Sequence, residues 1–147
     1  MHPLARRRDQ RLDTDVILAT MRSPTGAPAA LWAAGLDRRV TPCANVALMI
    51  EYESVCMRAE HGIAAGLNQR DVGVFLDAIA ALVDPVETHF LWRPQLRDPG
   101  DEMVLEAAVN GQARAIVTFN VRDYESVAGK FGVDILLPRE ALALVRA

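Results

Sequence analysis

Short β-type runs alternate with helical stretches along almost the whole chain, and no other feature restricts its fold so tightly. The strand candidates are the segment entering Asp13, then Arg39–Thr41, Val86–Trp92, Ala115–Phe119 and Asp134–Leu137. Helical patterns fall between them at Pro28–Gly35, Ala44–Glu60, Asp71–Val83, Asp101–Gly111 and Val121–Phe131, with a last one after Pro138. Parallel strands must be joined by long crossovers, which helices supply. The alternation therefore predicts an α/β fold, a three-layer α/β/α sandwich around a central parallel sheet of about five strands.

At 147 residues and 51% hydrophobic, the chain can bury one continuous core and is expected to form a single domain over 1–147. Residues 1–10 are expected to form a flexible basic extension; Arg6, Arg7, Arg8 and Arg11 read as a solvated end, or as an arm that contacts phosphates. No apolar run is long enough for a membrane span, and no apolar stretch follows the first arginines as a secretory signal would require. A cytoplasmic protein is expected. Cys43 and Cys56 lie apart from any second Cys pair, and His2, His61 and His89 are scattered, so zinc-ligand spacing is missing. The net charge of −3 argues against a surface that grips nucleic acid everywhere, while leaving room for a local basic groove.

In such a fold, ligands bind beyond the carboxyl ends of the strands, so acids that follow a strand or open a helix carry the interest. Asp13 and Asp15 stand two residues apart beside the apolar run Val16-Ile17-Leu18. Two carboxylates ~4 Å apart repel by ~4 kcal/mol at an effective dielectric near 20. Either they serve as a turn or helix cap, or a hard divalent cation relieves the repulsion. Asp101 and Glu102 follow Asp98-Pro99 and open a helix, a pattern that helix capping alone also explains. Glu51 has Ala47, Leu48 and Val55 as helical neighbours, and Glu53 has Met49, Ile50, Cys56 and Met57; helical spacing does not choose between the two. Asn120 and Asp123 follow the strand AIVTF, where Asp123 suits a cap or a place near a metal and Thr118 an ordinary β position.

Taken together, LDTDVILA, IEYESV within a helix, RDPGDEMVLEAA, AIVTFNVRDY and ILLP resemble the PIN-domain family in the same chain order, from Leu12 to Pro138. The likeness is closest to the branch described as toxins of toxin–antitoxin pairs. It implies a ribonuclease dependent on Mg²⁺ or Mn²⁺, with its acids gathered at the carboxyl end of the sheet. The family's first Asp falls on Asp13, its helical Glu on Glu51, its next Asp on Asp101, and the Thr of its fourth motif on Thr118. In that scheme Asp13, Glu51 and Asp101 hold one ion, and Asp13 with Asn120 or Asp123 holds a second. Arg22, Arg97 and Arg122 are the rim candidates for RNA contact. The resemblance further implies a small antitoxin that blocks the acidic cleft, its Arg inserted there, and a homodimer.

The chain departs from the family pattern in three places. Asn120 stands where the family commonly carries a carboxylate, and Asp15 stands where it commonly carries Asn, so Asp15 or Asp123 is expected to restore the lost charge. The first strand, preceded by Asp9-Gln10-Arg11, has little apolar content and is expected to be short. With Asn120 in place, an alternative is a catalytically weak or inactive module that binds partners or dimerises through the helices Ala44–Met57 and Asp71–Val83. A minor alternative is a phosphatase-like hydrolase with an aspartyl nucleophile, suggested by DTDV and GDEMVLEAA; it requires a lysine ahead of the late acidic motif, and the only lysine, Lys130, comes after it.

Overall fold

The structure is a computed structural model, and it describes residues 9–85, 114–125 and 132–146. Among these residues the elements run β1 (Asp9–Leu12), α1 (Thr14–Arg22), α2 (Ala27–Leu36), β2 (Thr41–Ala44), α3 (Val46–Cys56), α4 (Ala59–Ala65), α5 (Gln69–Leu82), β3 (Asp84–Pro85), β4 (Ala115–Val117), β5 (Asp134–Leu136) and α6 (Pro138–Arg146). Residues 121–125 are also helical. The five strands form one sheet in the order β3-β2-β1-β4-β5, and every neighbouring pair is parallel. This is the α/β sandwich that the alternation predicts.

Strand order makes β1 the centre of the sheet despite its polar sequence DQRL. Its register places Gln10 against both Pro42 and Ala115, and Leu12 against Val117. Arg11 is fully buried, and burial pushes its pKa down to about 10 while the charge of Asp9 opposes that fall. A four-residue strand is enough because its neighbours are equally short and share one core of Leu12, Val16, Ile17, Leu48, Tyr52, Ile79, Ile116 and Val117.

The boundaries differ from the sequence reading in instructive ways. β1 begins at Asp9, inside the segment expected to be an extension, while residues 1–8 lie outside the described residues. The stretch after Asp13 is the helix α1, which the sequence reading does not include; Val16, Ile17 and Met21 supply its buried face at helical spacing. The helix expected over Ala44–Glu60 is divided at Met57 and Arg58 into α3 and α4, and α4 stops at Gly66, whose φ of 72° suits glycine. β3 is only Asp84–Pro85; the expected strand Val86–Trp92 and helix Asp101–Gly111 lie outside the described residues. No helix among the described residues is long and apolar enough to cross a membrane.

Helices α1 and α2 pack together, α1 packs on α3 and α4, and α2 packs on α6, so both strand-crossing layers close on the sheet. Gly35 allows the end of α2 to approach β2: a Cβ there would lie 3.3 Å from Pro42 and 3.2 Å from Leu82. The carboxyl ends of β1 and β4 therefore meet where α1 begins. The acids gather there.

Candidate functional site

Asp13 leaves the end of β1 in extended backbone and caps α1, its Oδ1 accepting the Thr14 N–H at 2.7 Å. Its own N–H donates to the Val117 carbonyl at 2.9 Å, which ties it to the neighbouring strand β4. Only 5% of Asp13 is exposed. A buried carboxylate needs several donors, and Oδ2 receives two more: the Thr118 hydroxyl at 2.7 Å and the Tyr124 hydroxyl at 3.2 Å.

Thr118 organises this corner. Its N–H donates to the Leu136 carbonyl, and its hydroxyl accepts the Asn120 N–H at 2.9 Å while donating to Asp13. A hydroxyl has one proton, so its 3.5 Å approach to Asp15 Oδ2 is a weak second arm of the same donor. Asp15 is held from elsewhere: Oδ2 accepts the Phe119 N–H and the Asn120 side-chain amide, each at 3.1 Å. Its Oδ1 is buried and, among the described residues, has no hydrogen bond of good geometry, although the Val16 N–H next to it in the chain contributes to holding the anion.

Burial pushes the pKa of Asp15 up to about 7, and the nearby charge of Asp13 raises it further against the hydrogen bonds that favour the anion. The pair thus has one unused oxygen and one unwelcome charge. A proton or a cation answers both needs.

Tyr52, buried on α3, donates its hydroxyl to the carbonyl of Leu12, the residue before Asp13. Burial raises the Tyr52 pKa, so the phenol remains a donor. This contact fixes the face that α3 turns toward the end of β1. Glu51, the preceding residue, is half-buried beside that face, whereas Glu53 is exposed and lines a groove between α3 and α5. Asn45 caps α3 by accepting the Leu48 N–H at 2.8 Å.

Asp13, Asp15, Thr118 and Asn120 therefore converge, joined by direct hydrogen bonds. Asp123 and Arg122 are exposed on the helical turn after Asn120, and the Asp123 N–H donates to the Asn120 carbonyl at 3.0 Å. Arg22 is exposed in the last turn of α1, roughly 13 Å along the axis from Asp13 at the usual helical rise. Asp101 and Arg97 lie outside the described residues. Among the described residues, no three His, Cys, Asp or Glu side chains are grouped to hold a metal ion.

Sequence reasoning missed two members of the site, Tyr52 and Tyr124. Each is fully or almost fully buried and aims its hydroxyl at the β1–α1 junction. A tyrosine flanked by charged residues, as in IEYES and RDYES, was the available signal. Burial of such a ring requires a partner for its hydroxyl.

A family model described as PIN domain matches residues 11–122. No curated protein and no solved structure matches the chain.

Proposed function

The chain belongs to the PIN-domain family, whose members are generally nucleases and typically bind divalent metals, and on that premise we propose that it is an endoribonuclease dependent on Mg²⁺ or Mn²⁺. The observation that carries this reading is the Asp13–Asp15 pair: two carboxylates at the carboxyl end of the central strand, one with a buried oxygen that, among the described residues, has no hydrogen bond of good geometry. Their hard oxygen donors fit a small divalent cation.

Asp13, Glu51 and Asp101 are proposed to hold that cation, with Asp13, Asn120, Asp123 and Asp15 as the candidate donors for a second. Both residues flank Tyr52, and the half-burial of Glu51, against the exposure of Glu53 in the α3–α5 groove, favours Glu51. When bound, a divalent cation supplies Lewis acidity toward the phosphodiester and lowers the pKa of water. The chain's own residues do the rest. Thr14, Thr118 and Tyr124 fix the Asp13 carboxylate, and Phe119 and Asn120 fix that of Asp15, so neither has to reorganise when a substrate arrives.

The hydrogen bond between the Asn120 amide and Asp15 supports the view that this pair carries its single charge on Asp15. Asn120 then acts as the donor that orients it. Arg122, exposed beside the site, is a proposed RNA contact, as are Arg97 and, at greater distance, Arg22.

We further propose that the protein is the toxin of a toxin–antitoxin pair, cytoplasmic and homodimeric. The groove between α3 and α5, about 380 Å³ and flanked by exposed Val46 and Ile50, supports a partner surface. The same groove also favours the second reading, a catalytically weak module whose role is association. Calorimetric titration with Mn²⁺ separates the two, since no heat at millimolar metal would leave only the association role.

Cleavage of total RNA by wild type, Asp13→Asn and Asp15→Asn, each in Mg²⁺, Mn²⁺ or EDTA, tests the enzyme. We expect metal-dependent cleavage that both substitutions abolish or cripple. Activity that persists in Asp13→Asn would remove the assignment, and full activity in Asp15→Asn would remove the role given to its charge.

A further inference from the structure

The opposite end of the sheet holds a cavity of about 970 Å³ that the nuclease reading does not use. It opens where β1, β4 and β5 begin and where α2 and α6 end, and its polar lining is Gln10, Asp37, Arg38, Arg39, Arg114 and Asp134, three cations against two carboxylates. Gln10 sits in the central strand with 4% of its surface exposed, and its buried Oε1 has no hydrogen-bond partner among the described residues. Gln10 lines the cavity, and a turn of its buried amide would be needed to present that group to a ligand.

The arginines supply charge. Arg114 is engaged by Asp134 at 3.3 Å, whereas among the described residues Arg38 and Arg39 form no ion pair. Their backbone is unusual. Asp37 ends α2, the Arg38 N–H donates to the Gly35 carbonyl at 3.0 Å, and the Arg39 N–H donates to the Ala34 carbonyl at 2.9 Å. This is a Schellman turn, in which the residue after the cap adopts the left-handed region and is usually glycine. Here it is Arg38, with a φ of 59°. An arginine kept where glycine folds more easily suggests that its side chain is needed.

We propose that this cavity binds a nucleoside phosphate, with the phosphate on Arg38 and Arg39 and a polar edge of the base or ribose on the Gln10 amide. Two guanidinium forks match the two charges and three oxygens of a phosphomonoester. The cavity is far larger than a phosphate alone, and Leu136 and Val145 give it aliphatic walls that suit a flat heterocycle. The same chemistry is offered by a free nucleotide and by the phosphorylated end of an RNA strand. The site lies across the sheet from Asp13 and stands whether or not the chain cleaves RNA.

Isothermal titration of the full chain in EDTA tests it, with AMP, adenosine, inorganic phosphate and a 5′-phosphorylated RNA tetranucleotide as separate probes. AMP is expected to bind one to one and more tightly than adenosine or phosphate. Tighter binding of the tetranucleotide would assign an RNA end, and equal or weaker binding a free nucleotide. Arg38→Gly is expected to weaken AMP binding about tenfold while raising the melting temperature by about 2 °C, because glycine relieves the left-handed turn. Gln10→Leu is expected to weaken binding without loss of stability, since it removes a buried polar group that nothing bonds. Asp13→Asn should bind AMP as wild type does. The proposal is overturned if AMP gives no heat at millimolar concentration, if phosphate alone binds as tightly, or if both cavity variants bind like wild type.

Discussion

The two ends of the central sheet share the same strands and have opposite chemistry. At the carboxyl end, β1 delivers Asp13 into the start of α1, where the Thr14 N–H and the hydroxyls of Thr118 and Tyr124 converge on it. At the amino end, α2 closes in a turn that carries Arg38 and Arg39, and Gln10 waits without a partner. Parallel strands cause this polarity. All carboxyl ends face one way and meet helix N-termini, which favour acids, while helix C-termini collect at the other end, where basic residues are favoured. One end is closely bonded around Asp13 and overcharged at Asp15; the other is open and carries Arg38, Arg39 and Gln10.

The largest effect should fall on the acidic end alone. Asp13→Asn is expected to lower metal-dependent RNA cleavage about a thousandfold, whereas Arg38→Gly lowers it by no more than about tenfold. Gel assays of both variants at matched stability would show it. Equal losses in the two would mean that the ends are not chemically separate.

Thr118→Val should cost about 2–3 kcal/mol of unfolding free energy, because Asp13 loses its 2.7 Å donor and the Asn120 N–H loses its acceptor together. Urea denaturation measures this, and a cost near zero would deny Thr118 its place in holding the corner.

The charge excess predicts an unusual dependence on pH. Asp15 has a folded pKa of about 7 against an ordinary carboxyl value of 3.8, so between these values the folded chain keeps a proton that the unfolded chain has lost. In EDTA its contribution therefore makes stability fall as pH rises from 4 to 7, by about 2 kcal/mol once solvent screening is allowed for, and leaves it flat above that window. Asp15→Asn should remove this slope, and Mg²⁺ should offset it. Parallel pH profiles for wild type and Asp15→Asn, read by urea denaturation, would show that the pair is not under strain.

The smallest expected effect is that of Tyr124→Phe, about 1 kcal/mol, since Asp13 Oδ2 keeps the shorter bond from Thr118. A cost above that from Thr118→Val would reverse the order of importance of the two hydroxyls.

Much of this molecule is legible without coordinates. Alternating β-type and helical runs determine the parallel α/β architecture, because only crossovers join parallel strands, and the ordered motifs around Asp13, Glu51, Asp101 and Thr118 point to the family that matches residues 11–122. The helix α1 was hidden because its first residues, Thr14 and Asp15, read equally well as a turn, and only Val16, Ile17 and Met21 against the core show its face. The central place of β1 was hidden too, since DQRL lacks the apolar run that a buried strand usually has.

Tertiary structure alone decided which polar groups meet. Thr118 lies 105 positions from Asp13 and Tyr124 lies 111, and Tyr52 reaches Leu12 across 40. Sequence periodicity reports the face on which a side chain lies within its own element, and so fixes what is buried. Hydrogen bonds act only across about 3 Å, so their partners are set by how the elements pack, as is the cavity beside Gln10.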